Sequence, residues 1–179
     1  MRTRGEIEER VAELLQKHSI SSIPVPVDAI AVAENVLVLE QTFNGDLSGA
    51  LIKSNGLSAI AVNGAHSSNR KRFTIAHELG HHLLTHKGDE DHVDWEFTVL
   101  RRDGKSSEAS NAQEIEANIF AACLLMPKAS LSADLKIQTS PNGVIDLARD
   151  QIAALARKYQ VSEIAMNYRL INLGFLSPI

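Results

Sequence analysis

The chain of 179 residues contains a single cysteine, Cys123, so no disulfide can close within it. That thiol lies inside an apolar run, where a buried packing role is expected. No hydrophobic stretch approaches the length of a membrane span. Arg2, Arg4, Glu6, Glu8, Glu9 and Arg10 crowd the N-terminal region with charge where a signal peptide needs an apolar core. A cytoplasmic protein with no membrane partner is therefore expected. Positive charge is not in excess either: 18 Lys+Arg against 22 Asp+Glu leave a formal net charge of −4. That balance argues against a general nucleic-acid binder, and direct nucleic-acid binding is not expected. With 44% hydrophobic residues, there is enough apolar material for one compact core.

The feature that carries chemistry is His77-Glu78-Leu79-Gly80-His81. On an α-helix, residues four apart lie on one face about one turn apart, so the Nε2 atoms of His77 and His81 can meet at one cation. Glu78 is one helical step round from His77, placed to reach a water rather than to be a third ligand. Phe73, Ala76, Leu79, Gly80, Leu83 and Leu84 recur at helical spacing, and Ser68-Asn69 can cap the start. The pattern is that of a hydrolytic zinc site, with Glu78 as the catalytic base.

Such a site takes three protein ligands and keeps one position open. A third histidine six residues on is ruled out, because Leu84 and Lys87 hold the corresponding places. His82 and His86 point away from the His77/His81 face of an ideal helix. The better source is the segment from Gln113 to Pro127, rich in helix formers and ended by proline. Glu114 and Asn118 lie four apart there, on a face shared with the small Ala121 and Ala122. Glu114 can ligate the metal while Asn118 hydrogen-bonds the outer nitrogen of a ligand histidine. Glu116, on another face, is the alternative ligand.

The blocks Arg72 to Leu84 and Glu114 to Pro127 together resemble the ImmA/IrrE family of bacterial zinc metallopeptidases. The resemblance implies a cytoplasmic zinc endopeptidase that cleaves a helix-turn-helix repressor and so relieves repression, in a mobile element or a stress response. It matches His77 and His81 to the zinc histidines, Glu78 to the catalytic glutamate and Glu114 to the acidic ligand. No built-in sensor domain is expected in a chain of this length. Two rivals are a DNA-binding regulator with a structural zinc and a module that binds a repressor without cutting it.

The organisation reads as α+β, with a small antiparallel sheet packed on a zinc-binding, zincin-like helical core. Ile7, Val11, Leu14 and Leu15 mark a helix over 6–18, and a second helix is expected over 27–34. Strands are expected at 36–40, 47–53 and 57–62, the last two joined by the hairpin turn Ser54-Asn55-Gly56. Residues 95–100 read as a further strand within a polar stretch from 85 to 113, which is either a lid or a surface excursion. Residues 1–140 form the peptidase domain, and 141–179 a helix-turn-helix-like segment. There Ser162 caps the second helix, Gly174 ends it, and Gln160 stands where glycine is usual. Arg169 is the one basic residue of that helix, a poor surface for phosphates.

Overall fold

Thr3 opens the first helix because its hydroxyl accepts from the Glu6 N–H (3.3 Å) while the Glu6 carboxylate accepts from the Thr3 N–H (2.6 Å). This reciprocal cap satisfies donors that a helix start leaves unpaired. The helix, α1 (Arg4–Lys17), buries Ile7, Val11 and Leu14 along one stripe, as their spacing requires. A short α2 (Val27–Ala33) follows, and Asn35, at φ 62°, turns the chain into β1 (Val36–Gln41). The computed structural model describes residues 1–43, 47–84, 108–135 and 147–177. The strand expected at 95–100, the lid or surface excursion within 85–107, His86 and the division between 140 and 141 lie outside the described residues.

β2 (Gly49–Ser54) and β3 (Leu57–Asn63) form the expected hairpin. Asn55 (φ 50°) and Gly56 (φ 77°) supply the two left-handed conformations that a two-residue turn of this kind needs. The sheet itself is mixed rather than purely antiparallel: its order is β1-β3-β2, with β1 parallel to β3. Burial accounts for the strand order. Ile60, Ala61, Val62 and Asn63 are consecutive buried residues, so β3 takes the centre, whereas β1 ends in the exposed Glu40 and Gln41 and stays at an edge.

Val36, Leu51, Ile60 and Val62 bury one face of the sheet, against which α2 and α3 (Ser68–Leu83) pack. Ser67 caps α3, accepting from the Arg70 N–H at 3.4 Å, one residue before the expected pair. On its other side α3 meets α4 (Glu108–Leu125), which in turn packs on α1. α4 begins five residues before its expected start at Gln113, since Glu108 and Ala109 extend the helix-forming composition. Part of the polar stretch expected to be a lid or surface excursion is thus helical.

After Pro127 comes a short helix not expected from the sequence, α5 (Lys128–Asp134). The C-terminal pair is α6 (Arg149–Tyr159) and α7 (Glu163–Asn172). Gln160 adopts the left-handed conformation (φ 53°) that glycine would take more cheaply, and Ser162 caps α7 by accepting from the Ala165 N–H at 3.1 Å. Arg169 is not a surface cation. It is 2% exposed, donates through Nε to the Met126 carbonyl at 3.0 Å and pairs with Glu8 at 2.5 Å, joining α7 to α1 and the end of α4. One core cluster accordingly runs from Ile7 to Phe175. No described helix is long and apolar enough to cross a membrane.

Candidate metal centre

His77 and His81 lie one turn apart on α3, and the helical spacing brings their Nε2 atoms to 3.1 Å. Glu114 enters from α4 and spans them, Oε2 standing 3.3 Å from His77 Nε2 and Oε1 3.1 Å from His81 Nε2. These three are a group able to hold a metal ion. A tetrahedral zinc with bonds of about 2.0–2.1 Å separates its ligand atoms by about 3.3–3.4 Å. The three separations, 3.1, 3.3 and 3.1 Å, lie at or slightly below that spacing, the two to Glu114 being made by different carboxylate oxygens, and two imidazoles with one carboxylate are a donor set of catalytic zinc sites. The residues present fit zinc.

Which imidazole nitrogen faces the site is set from outside it. His77 Nδ1 lies 3.1 Å from Asn118 Oδ1, and an amide oxygen only accepts, so Nδ1 carries the proton and Nε2 keeps its lone pair. Phe73 stacks on the His77 ring with 6.3 Å between centroids, limiting its rotation. Burial disfavours the charge of Glu114. When Nε2 protons on His77 and His81 take the place of a metal, their hydrogen bonds and charges outweigh that cost and hold the Glu114 carboxyl well below the usual carboxylate range. Side-chain exposure rises from 3% at His77 through 12% at His81 to 29% at Glu114, so the site opens to solvent on the Glu114 side.

Close approach of α3 and α4 depends on Gly80. A Cβ there would stand 3.1 Å from Phe120 Cδ1, 3.2 Å from Phe120 Cβ and 3.3 Å from Ala117 Cα. At Gly80 the close contact is made against Ala117 and Phe120.

Glu78 is 3% exposed on α3, next to His77. Glu116 is not with the ligand group: it is buried and accepts from Arg2, with Nη1 at 2.7 Å from its Oε2. His82 is partly buried, and burial together with the nearby Lys53 lowers its pKa despite the opposing charge of Glu34. Tyr159 is fully buried and donates to Asp134 at 2.8 Å, while Tyr168 stands exposed on α7. Sequence reasoning missed Arg2 altogether. No local pattern marks it, because its partner is 114 positions away.

Such a donor set, shared between two packed helices beside a small sheet, is of the kind that zinc metallopeptidases use. Residues 33–171 match the family Peptidase_M78, described as the IrrE N-terminal-like domain, and the chain belongs to that family. The resemblance drawn from the two sequence blocks is thereby borne out. The "Radiation response metalloprotease IrrE" of Deinococcus deserti is 34% identical over 111 residues, covering 62% of this chain and 35% of that protein. Among solved structures, a Mycobacterium tuberculosis transcriptional regulator has the same fold, with a TM-score of 0.61 at 16% identity over 93% of this chain and 46% of that one. The chain spans about a third of the first protein's length and less than half of the second's.

Proposed function

We propose that the protein is a zinc-dependent endopeptidase that hydrolyses a peptide bond in a helix-turn-helix transcriptional repressor and so relieves repression. The observation that carries the activity is the triangle of donor atoms from His77, His81 and Glu114, with the buried Glu78 next in line on the same helix. Zinc bound there supplies Lewis acidity toward a peptide carbonyl and toward water. His77 and His81 present Nε2 lone pairs, Glu114 contributes negative charge, and Asn118 keeps the His77 ring from turning. The Glu78 carboxylate accepts a proton from the attacking water and passes it to the leaving amine nitrogen.

β2 supports the choice of a polypeptide substrate. Among the described elements it pairs with β3 alone and packs against α3, leaving an outer edge whose main-chain groups can hold an extended peptide. Tyr159 does not serve the oxyanion in this account, because its hydroxyl is committed to Asp134. The burial of Arg169 removes the one cation of α7 from any phosphate contact and weighs against the DNA-binding alternative. A cytoplasmic location, where such repressors act, is part of the same proposal.

The test is to mix the zinc-loaded protein with the helix-turn-helix repressor encoded nearest to its gene, and to read fragments by mass spectrometry. Cleavage at a defined bond, abolished by a chelator and restored by zinc, is expected. An intact repressor that still co-purifies with the chain would favour sequestration without cleavage.

A further inference from the structure

Two of the three donor groups share one helix, so their spacing is secured by α3 itself. Glu114 is different. It comes from α4, which is separated from α3 by a long stretch of sequence, and chain connectivity does little to hold it over the histidines. Its position depends on how firmly α4 is fixed against α3. Packing at Gly80 and the Asn118–His77 hydrogen bond act at the middle of the contact. At the C-terminal end of α3, just beyond His81, Arg2 forms a further polar bridge.

Arg2 makes that bridge with three donors. Its backbone N–H donates to Glu116 Oε1 at 2.5 Å, Nη1 donates to Glu116 Oε2 at 2.7 Å, and Nη2 donates to the carbonyl of Leu84. Leu84 is the C-cap of α3, one turn after His81, and its carbonyl belongs to the set a helix end leaves unpaired. Glu116 is on α4, two residues from Glu114. Its side chain is 5% exposed, and Arg2 supplies it with an opposite charge that helps to offset the cost of burial. Arg2 itself is anchored, because the next residue, Thr3, is the reciprocally bonded cap of α1, and α1 packs along α4. A planar guanidinium can fork between a carboxylate and a carbonyl in fixed directions, which an ammonium cannot.

We propose that Arg2 is a positioning residue of the metal centre: by bridging Glu116 on α4 to the Leu84 carbonyl at the end of α3, it holds Glu114 in reach of His77 and His81. Resting as it does on the ligand set proposed above, this role acts through Glu114 and touches neither metal nor substrate. Loss of the bridge lets α4 shift at the His81 end and weakens the third ligand first.

The experiment measures zinc affinity by chelator competition and the visible spectrum of the cobalt-substituted protein for wild type, Arg2→Ala, Arg2→Lys, Glu114→Ala and Asp134→Asn, with melting temperatures alongside. Arg2→Ala retains its backbone bond to Glu116. It is expected to lose at least about tenfold in zinc affinity, the scale seen for groups that orient ligands, and to shift the cobalt bands. Arg2→Lys keeps the charge without the fork and is expected to fall between Arg2→Ala and wild type. Asp134→Asn loosens α5 from α6, away from the site, and is expected to lower the melting temperature with metal affinity and spectrum unchanged. Wild-type affinity and spectrum in Arg2→Ala, with Glu114→Ala losing zinc, would overturn the positioning role and leave the ligand set standing. Equal loss of affinity in Asp134→Asn would reduce Arg2 to general stability and also overturn it. Full zinc binding by Glu114→Ala would instead bring down the ligand set, and the proposal with it.

Discussion

Asn118 Oδ1 accepts from His77 Nδ1 at 3.1 Å, a bond between α4 and α3 that directs the His77 lone pair toward His81 and Glu114. One side chain thus selects a tautomer and links the two helices that share the site. Asn118→Ala removes the acceptor and frees the ring to rotate. Zinc affinity, read by chelator competition, is expected to fall about 10- to 100-fold. Asn118→Asp, which keeps an accepting oxygen, should retain most of it. Equal affinity in wild type and the alanine variant would show that ring orientation is set elsewhere.

Gly80 lets the same two helices approach. An alanine there would press on Phe120 and Ala117 at 3.1–3.3 Å. Overpacking costs about 1–3 kcal/mol, whereas alanine in place of glycine within a helix returns about 1 kcal/mol. Gly80→Ala should therefore lose on the order of 1 kcal/mol in denaturant unfolding. A stabilised variant would mean that Phe120 swings aside at no cost.

Much of this site was legible because its geometry is local. His77, Glu78 and His81 are related by helical spacing alone, and Glu114 with Asn118 by the same spacing on a second helix. The hairpin was legible at Asn55 and Gly56 for a similar reason, since the turn demands two left-handed residues in succession. What could not be read was set by distant partners. β1 pairs with β3 across an intervening strand, so the sheet is mixed, and nothing within residues 36–41 specifies that choice. Arg169 looked like surface charge on a polar helix until Glu8 and the Met126 carbonyl supplied it with buried partners.

That buried position of Arg169 has its own consequence. Removing the guanidinium strands a carboxylate and a carbonyl with lost partners, and breaking a buried pair costs roughly 3 kcal/mol or more. Arg169→Ala should be among the most destabilising substitutions on α7, seen as a large drop in urea midpoint. A variant of normal stability would return Arg169 to the surface and reopen the question of phosphate contact.

Glu34 ties α2 to the end of α1. Burial works against its charge, but hydrogen bonds from Lys17 (2.6 Å) and His18 overcome this and lower its pKa below the ordinary value of 4.5. A carboxyl depressed on folding contributes stability that is present above the unfolded pKa and lost as pH falls through the folded one. The stability gap between wild type and Glu34→Gln should accordingly be full above about pH 5 and close as the solution is made more acid. A gap that does not change with pH would mean that packing, not charge, distinguishes the two proteins.

Chemistry is separated from metal binding most directly by Glu78→Gln, assayed for zinc content and for repressor cleavage in the same preparation. The amide keeps the shape of the side chain and cannot take the proton from water. The account predicts about one zinc per chain, a normal fold, and cleavage reduced by roughly a hundred- to ten-thousand-fold, the worth of a general base. A zinc-loaded Glu78→Gln protein that cleaves like wild type would contradict it.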